Sequence, residues 1–207
     1  MDSATLVSFV FTAVLLTLAP GPDILYLLAV SIANGTKSGI ALAAGLSSGV
    51  LFHTTLVIIG VAALLKSSPI AMNLMRYVGA CYLLYLAYGV FKSEAVINTD
   101  GTSEIPKQAP FALFRRGLLM NILNPKVLLF FLAFLPQFVN YQQDNVSLQI
   151  AILGATFAVQ ALSVFSGVAA GAATLRRWLP QHPKIVASLG KVQAVVLVLI
   201  AGLLVFI

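Results

Sequence analysis

Proline and a charged residue stand together twice inside long apolar stretches, as Pro20-Gly21-Pro22-Asp23 and as Asn124-Pro125-Lys126. An apolar run of that length reads as a membrane-crossing helix. Proline removes a backbone donor and clashes with the preceding turn, so each site marks a helix that must break within the bilayer. A charge held at such depth is expensive, which makes each break a candidate binding site.

The composition permits no ordinary soluble domain: 60% of the 207 residues are hydrophobic and only 9% are charged. A net charge of +6 would suggest nucleic acid in a soluble protein. Here the basic residues gather at the ends of apolar segments, where they orient a membrane protein, so nucleic acid is set aside. The first apolar segment lacks a basic start and a small-residue cleavage site, and is read as a retained helix rather than a signal peptide. Cys81 is the single cysteine, which excludes an intrachain disulfide and a dithiol relay.

At roughly 20 apolar residues per crossing, the chain divides into six expected helices over 5–32, 39–65, 70–91, 111–138, 148–173 and 187–207. The polar stretch 92–110 is the one expected linker. It divides a single transmembrane domain, 1–207, into halves at 1–91 and 111–207. Three crossings per half would force the halves to be inverted, and a constant offset lays Pro22 on Pro125 and Asp23 on Lys126. The expected fold class is therefore an all-α membrane protein of six transmembrane helices in two inverted three-helix repeats, with helices one and four broken at proline.

Lys37, Lys92, Lys107, Arg115, Arg116, Arg176, Arg177, Lys184 and Lys191 fall on one side of such a topology, and little beyond Lys66 and Arg76 on the other. The positive-inside rule makes the basic side cytoplasmic and places both termini outside.

Pro20, Pro22 and Pro125 free the carbonyls behind them and start new half-helices ahead of them. The exposed amide hydrogens at those starts suit an anionic group. Lys126 adds a full positive charge at a helix start and needs an anion nearby; Asp23 is the intramembrane acid that could provide it. The expected site comprises Pro20, Gly21, Pro22, Asp23, Asn121, Asn124, Pro125 and Lys126. Within it an Asp23–Lys126 ion pair gives way to a zwitterion, whose ammonium meets Asp23 and whose carboxylate meets Lys126 and the amides near Gly21. Asn121 lies about one turn before Asn124-Pro125, so both amides can bond substrate or freed carbonyls.

Proton-coupling candidates are Asp23, which can take a proton as substrate leaves, and His53, one turn beyond Gly49 on the face begun by Gly45. A plain interhelical hydrogen bond explains His53 equally well, and packing is favoured for Gln160. Tyr82, Tyr85 and Tyr88 recur at spacings of three, which interfacial or packing tyrosines explain more often than a pathway does. Gly45-x3-Gly49 and Gly167-x3-Gly171 are small-residue faces for close helix approach, and they would also permit a homodimer.

Several strings together resemble one family: Pro20-Gly21-Pro22-Asp23; Gly45-x3-Gly49-x3-His53; Gly79-Ala80-x-Tyr82-Leu83-Leu84-Tyr85-Leu86; and Gly117-x3-Asn121-x2-Asn124-Pro125-Lys126 with Phe134-Leu135-Pro136-Gln137-Phe138. On these residues the chain resembles the LysE/RhtB family of bacterial amino-acid exporters along nearly its whole length. The resemblance implies a multi-pass protein of the bacterial inner membrane. Such a protein exports amino acids or close derivatives by proton antiport with alternating access, its partners being the amino acid, protons and the lipid bilayer, and no cofactor or metal is expected.

Two rivals belong to other classes. A metal-ion exporter of related architecture would need clustered Cys, His or carboxylate ligands, for which Asp23, His53 and Cys81 are a thin supply. A non-transporting membrane assembly subunit would need no broken helices. An enzyme is rejected, because Ser47, Ser48, His53 and Asp23 follow no recognisable catalytic arrangement.

Overall fold

The computed structural model describes residues 2–64, 69–92, 106–143, 145–178 and 183–206. Most of the expected linker, Lys66, and the side chains of Arg176, Arg177 and Lys184 lie outside the described residues. Every regular element among the described residues is helical, in the order α1 (Ser3–Leu18), α2 (Pro22–Asn34), α3 (Thr36–Leu64), α4 (Pro69–Lys92), α5 (Pro110–Ile122), α6 (Pro125–Leu129), α7 (Val146–Trp178) and α8 (Pro183–Phe206). Within α3 and α7, the stretches Thr36–Gly60 and Val146–Ala172 are each long and apolar enough to cross a membrane. The pairs α1 with α2, and α5 with the segment Pro125–Phe138 that begins with α6, pass the same test only when each is taken as one broken span. Length and apolarity among the described residues thus account for up to four crossings.

Both breaks fall where the prolines require them. The axis turns by 62° between α1 and α2 and by 51° between α5 and the segment that begins at Pro125. Gly21, between Pro20 and Pro22, is fully extended, and Asn124 ahead of Pro125 is held in the β region, as a residue before proline must be. Pro22 and Pro125 each occupy the first turn of a new helix, where a missing N–H costs nothing. A third proline acts differently. Pro136 cannot donate to the carbonyl four residues back, and the chain after α6 widens to a π-helical turn over Phe130–Phe134 before tightening to a 3-10 turn over Leu135–Phe138.

Short polar devices fix the helix ends. Asp2 caps α1 by accepting from the Thr5 amide at 2.7 Å, and hydrogen bonding from the Thr5 hydroxyl and then its amide holds the carboxyl below the usual range. Gly35 alone separates α2 from α3, at φ 84°, a left-handed conformation that side chains other than glycine seldom adopt. Before α7, the Asn140 amide donates to Gln149 Oε1 at 2.9 Å and Gln149 Nε2 donates to the Asn140 carbonyl at 3.1 Å, tying the loop to the helix.

Packing pairs α3 with α5 and α7, α4 with α8, and α2 with both α3 and α7. The closest approach is between α3 and α5: a side chain at Gly45 would strike the Phe114 carbonyl, and one at Gly117 would strike the Leu42 carbonyl. Gly49 continues the same face, where a Cβ would stand 2.7 Å from Asn121 Oδ1. The Gly45-x3-Gly49 face therefore packs as expected. At Gly167, by contrast, a side chain would enter open space. An aromatic cluster closes the core behind the second break: Phe9 of α1 and Phe157 of α7 meet Phe130, Phe131 and Phe138, with ring centroids 5.1–6.5 Å apart. Tyr82, Tyr85 and Tyr88 face outward from α4, which agrees with the interfacial or packing reading and not with a pathway.

Gly45→Ala and Gly117→Ala should each destabilise the fold by about 1–3 kcal/mol through overpacking against backbone. Gly167→Ala, placed in open helix surface, should be neutral or stabilising. Thermal unfolding of the purified variants in detergent separates these outcomes, and equal midpoints for all three would contradict the packing described.

Candidate functional site

The two breaks meet, and a chain of polar contacts joins them. Asn124 Nδ2 donates to Asp23 Oδ2 at 2.6 Å, which links the start of α6 to the start of α2. Asn124 Oδ1 in turn accepts from the Lys126 backbone amide at 3.0 Å and so caps α6. Lys126 Nζ reaches back to α1, donating to the carbonyls of Leu16 and Ala19, both at 3.2 Å. Asp23, Asn121, Asn124 and Lys126 are all buried, none more than 7% exposed.

The partner of Lys126 follows from the first break. In an unbroken helix the Leu16 carbonyl would accept from the amide of residue 20, but Pro20 has none. The ammonium replaces that donor. The second break repeats the arrangement with a different side chain. Pro125 leaves the Asn121 carbonyl without its ordinary helical donor, and that oxygen accepts from the Asn124 amide at 3.0 Å and from His53 Nε2 at 3.1 Å. A carbonyl can only accept, so Nε2 carries the hydrogen. His53 is fully buried and its Nδ1 has no hydrogen-bond partner among the described residues.

The expected direct ion pair is absent from this arrangement. Asp23 and Lys126 are joined through Asn124, because the ammonium is drawn to the freed carbonyls of α1 and the carboxylate to an amide. Pro22 and Pro125 face outward and shape the site through the backbone alone, whereas Pro20 and Gly21 are buried. Between the breaks lies a cavity of about 10 Å³, room for roughly one water. Thr17, Asp23, Asn121 and Lys126 form its polar side; Leu16, Val127, Phe157 and Phe165 form its apolar side. In this conformation the site is closed around far less space than an amino acid requires.

Two further contacts set the frame. Gln160 Nε2 donates to Thr17 Oγ1 at 2.9 Å, holding the last turn of α1 against α7, which is the packing role expected for that residue. Arg116 lies over the Tyr26 ring at 4.3 Å, linking α5 to α2 one turn beyond Asp23. One residue near the site escaped sequence reasoning: Gln193 of α8, whose Nε2 approaches Gly21. Its signal was available, a lone amide in an apolar stretch after Lys191. The metal-exporter reading finds no support in the geometry, because no three His, Cys, Asp or Glu side chains gather among the described residues, and Cys81 is exposed.

The profile of the LysE type translocator family matches residues 14–206. A Vibrio cholerae protein described as an uncharacterized membrane protein is 32% identical over 191 residues, 92% of this chain and 91% of its own length. A leucine efflux protein of Salmonella typhimurium is 33% identical over 153 residues, covering 73% of this chain and 71% of its own. A homoserine/homoserine lactone efflux protein of the same organism is 30% identical over 197 residues, or 95% and 94% of the two chains. No solved structure matches. A family of translocators places the chain among membrane transporters and not among enzymes. With matching sequence from α1 to α8 and paired helix breaks at its centre, the chain belongs to the LysE type translocator family.

Proposed function

We propose that this protein exports amino acids or close derivatives across the bacterial inner membrane, by alternating access coupled to proton antiport. The observation that carries this reading is the buried chain Asp23–Asn124–Lys126, which puts an acid and an ammonium together in the lining of one small cavity. An α-amino acid carries the complementary pair of charges. Its ammonium would take Asp23 and its carboxylate Lys126, with Pro20, Gly21, Pro22, Asn121, Asn124 and Pro125 shaping the site between them. The relatives described as exporting leucine and homoserine support the substrate class.

The reading includes six crossings in two inverted halves, 1–91 and 111–207, with the basic loops cytoplasmic and both termini outside. Three observations favour the repeat. The two broken pairs bend by similar angles, α3 packs on α7 and α4 on α8 as helices in equivalent positions would, and Pro22 and Pro125 both face outward at the same position of their helices. A closed cavity suits an intermediate of alternating access, from which opening at one break or the other would admit substrate. Should two copies pair, the unfilled surface at Gly167 is the place for close approach.

Of the two proton-coupling candidates the geometry favours Asp23, which lines the cavity, while His53 does not line it and its Nε2 is committed to the Asn121 carbonyl. Asp23 taking a proton as substrate leaves, and releasing it as substrate returns, would couple the two fluxes.

Efflux of labelled leucine and homoserine from preloaded cells tests the site. Asp23→Asn and Lys126→Gln, the latter keeping N–H donors for the two carbonyls but no charge, should each cut transport about ten- to a hundredfold, the loss expected for one charge-assisted contact. Wild-type rates from both variants, at normal membrane levels, would refute the site. A second prediction concerns His53. Replacement by Gln, which can still donate to the Asn121 carbonyl, should preserve both transport and its pH profile, whereas His53→Leu should cost about 1–3 kcal/mol of stability by orphaning that contact. A flattened pH profile in the glutamine variant would return His53 to the proton path.

A further inference from the structure

The helix α8 approaches the break through one side chain. Gly21 is buried and extended between two prolines, and the point where a side chain at that position would begin lies 3.5 Å from Lys126 Nζ and 3.6 Å from Gln193 Nε2. Donors from two different helices therefore flank the space that a Cβ at position 21 would take. Neither donor set is exhausted. An ammonium has three hydrogens, of which Lys126 gives two to the Leu16 and Ala19 carbonyls. Gln193, half-buried, makes no hydrogen bond to any described residue. A half-buried amide that bonds no described neighbour keeps its donors available to a ligand.

We propose that Gln193 and Lys126, across Gly21, form the seat of the substrate carboxylate, with Gln193 as a specificity-determining residue. This rests on the exporter reading above and adds to it a named donor and a chemical requirement. One full positive charge beside one neutral N–H donor matches a carboxylate, whose two oxygens can each accept from one side. Glycine at position 21 then keeps the space between the two donors free, where a methyl group would stand in ordinary contact with both. The ammonium of the same substrate falls toward Asp23, and the aromatic wall of Phe157 and Phe165 takes an apolar side chain. A free carboxylate becomes a requirement of recognition, which a decarboxylated amine does not meet.

The test uses the full chain in cells preloaded with labelled leucine or homoserine. Gln193→Leu should raise KM roughly ten- to a hundredfold with little change in kcat, as expected for one lost hydrogen bond to a charged group. Gln193→Asn should recover part of that loss, and Gly21→Ala should raise KM as Gln193→Leu does. A wild-type KM in Gln193→Leu overturns the proposal, as does a fall in kcat alone. A binding readout guards against misfolded variants: Gln193→Cys on a Cys81→Ser background is labelled with an anionic methanethiosulfonate, with leucine or its decarboxylated amine, 3-methylbutylamine, as protectant. Protection by leucine alone is expected; equal protection by both, or by neither, overturns the carboxylate seat. Failure of the parent reading looks different, because wild type itself would then move neither amino acid. If only the seat is wrong, wild-type transport and its dependence on Asp23 survive while position 193 is indifferent.

Discussion

A backbone carbonyl without a donor, in a medium that offers no water, is the constraint from which the rest of this structure follows. Proline creates the deficit twice. At the first break an ammonium from the second half of the chain satisfies the Leu16 carbonyl, and at the second an imidazole from the first half satisfies that of Asn121. Each half thus completes the other's broken helix. The bond from Lys126 crosses 110 residues of sequence and that from His53 crosses 68, so the side-chain donors at both bends arrive only when distant helices have assembled around them. Local sequence sets where the chain bends, and tertiary contacts make the bend tolerable.

Much of this was legible in the residues. Helix breakers inside apolar runs located both bends to within a residue, and the Gly45, Gly49 and His53 spacing identified the α3 face that receives α5. What the residues did not show was which oxygen each charge would choose. Opposite charges in an apolar setting suggest a direct pair, but freed carbonyls on α1 compete for the ammonium, and Asn124 can bond the carboxylate and cap a helix at once. Gly167 shows a related limit: glycine spacing marks where close approach is allowed, while the partner helix decides whether it happens, and among the described residues none fills the space at Gly167. Gln193 went unnoticed because it lies about seventy residues from the nearer break in sequence, and only the fold brings α8 beside Gly21.

The π-helical turn after α6 shows the same interplay at smaller scale. Proline at 136 withholds one helical bond, and the Leu135 amide reaches the carbonyl of Phe130, five residues back. The wider turn carries Phe130, Phe131 and Phe134 into the core, where they pack as one aromatic mass with Phe9 and Phe157. Phe157 also forms part of the cavity wall, so this rigid cluster backs the polar centre on its apolar side.

The contact between α3 and α5 has a consequence for how such a sequence can change. At Gly45 and at Gly117 the obstruction to a larger residue is a carbonyl of the facing helix rather than a side chain. No exchange of the opposing side chain can make room, since every amino acid carries the same backbone. A pair of compensating substitutions, the common route by which packed positions drift together, is closed at these two sites. Relief would require one helix to move bodily away, and α5 leads directly into Asn121 and the second break. Variation at either glycine is thereby tied to the geometry of the polar centre, since Gly117 lies about one turn before Asn121 and Gly45 about one turn before Gly49, which faces Asn121.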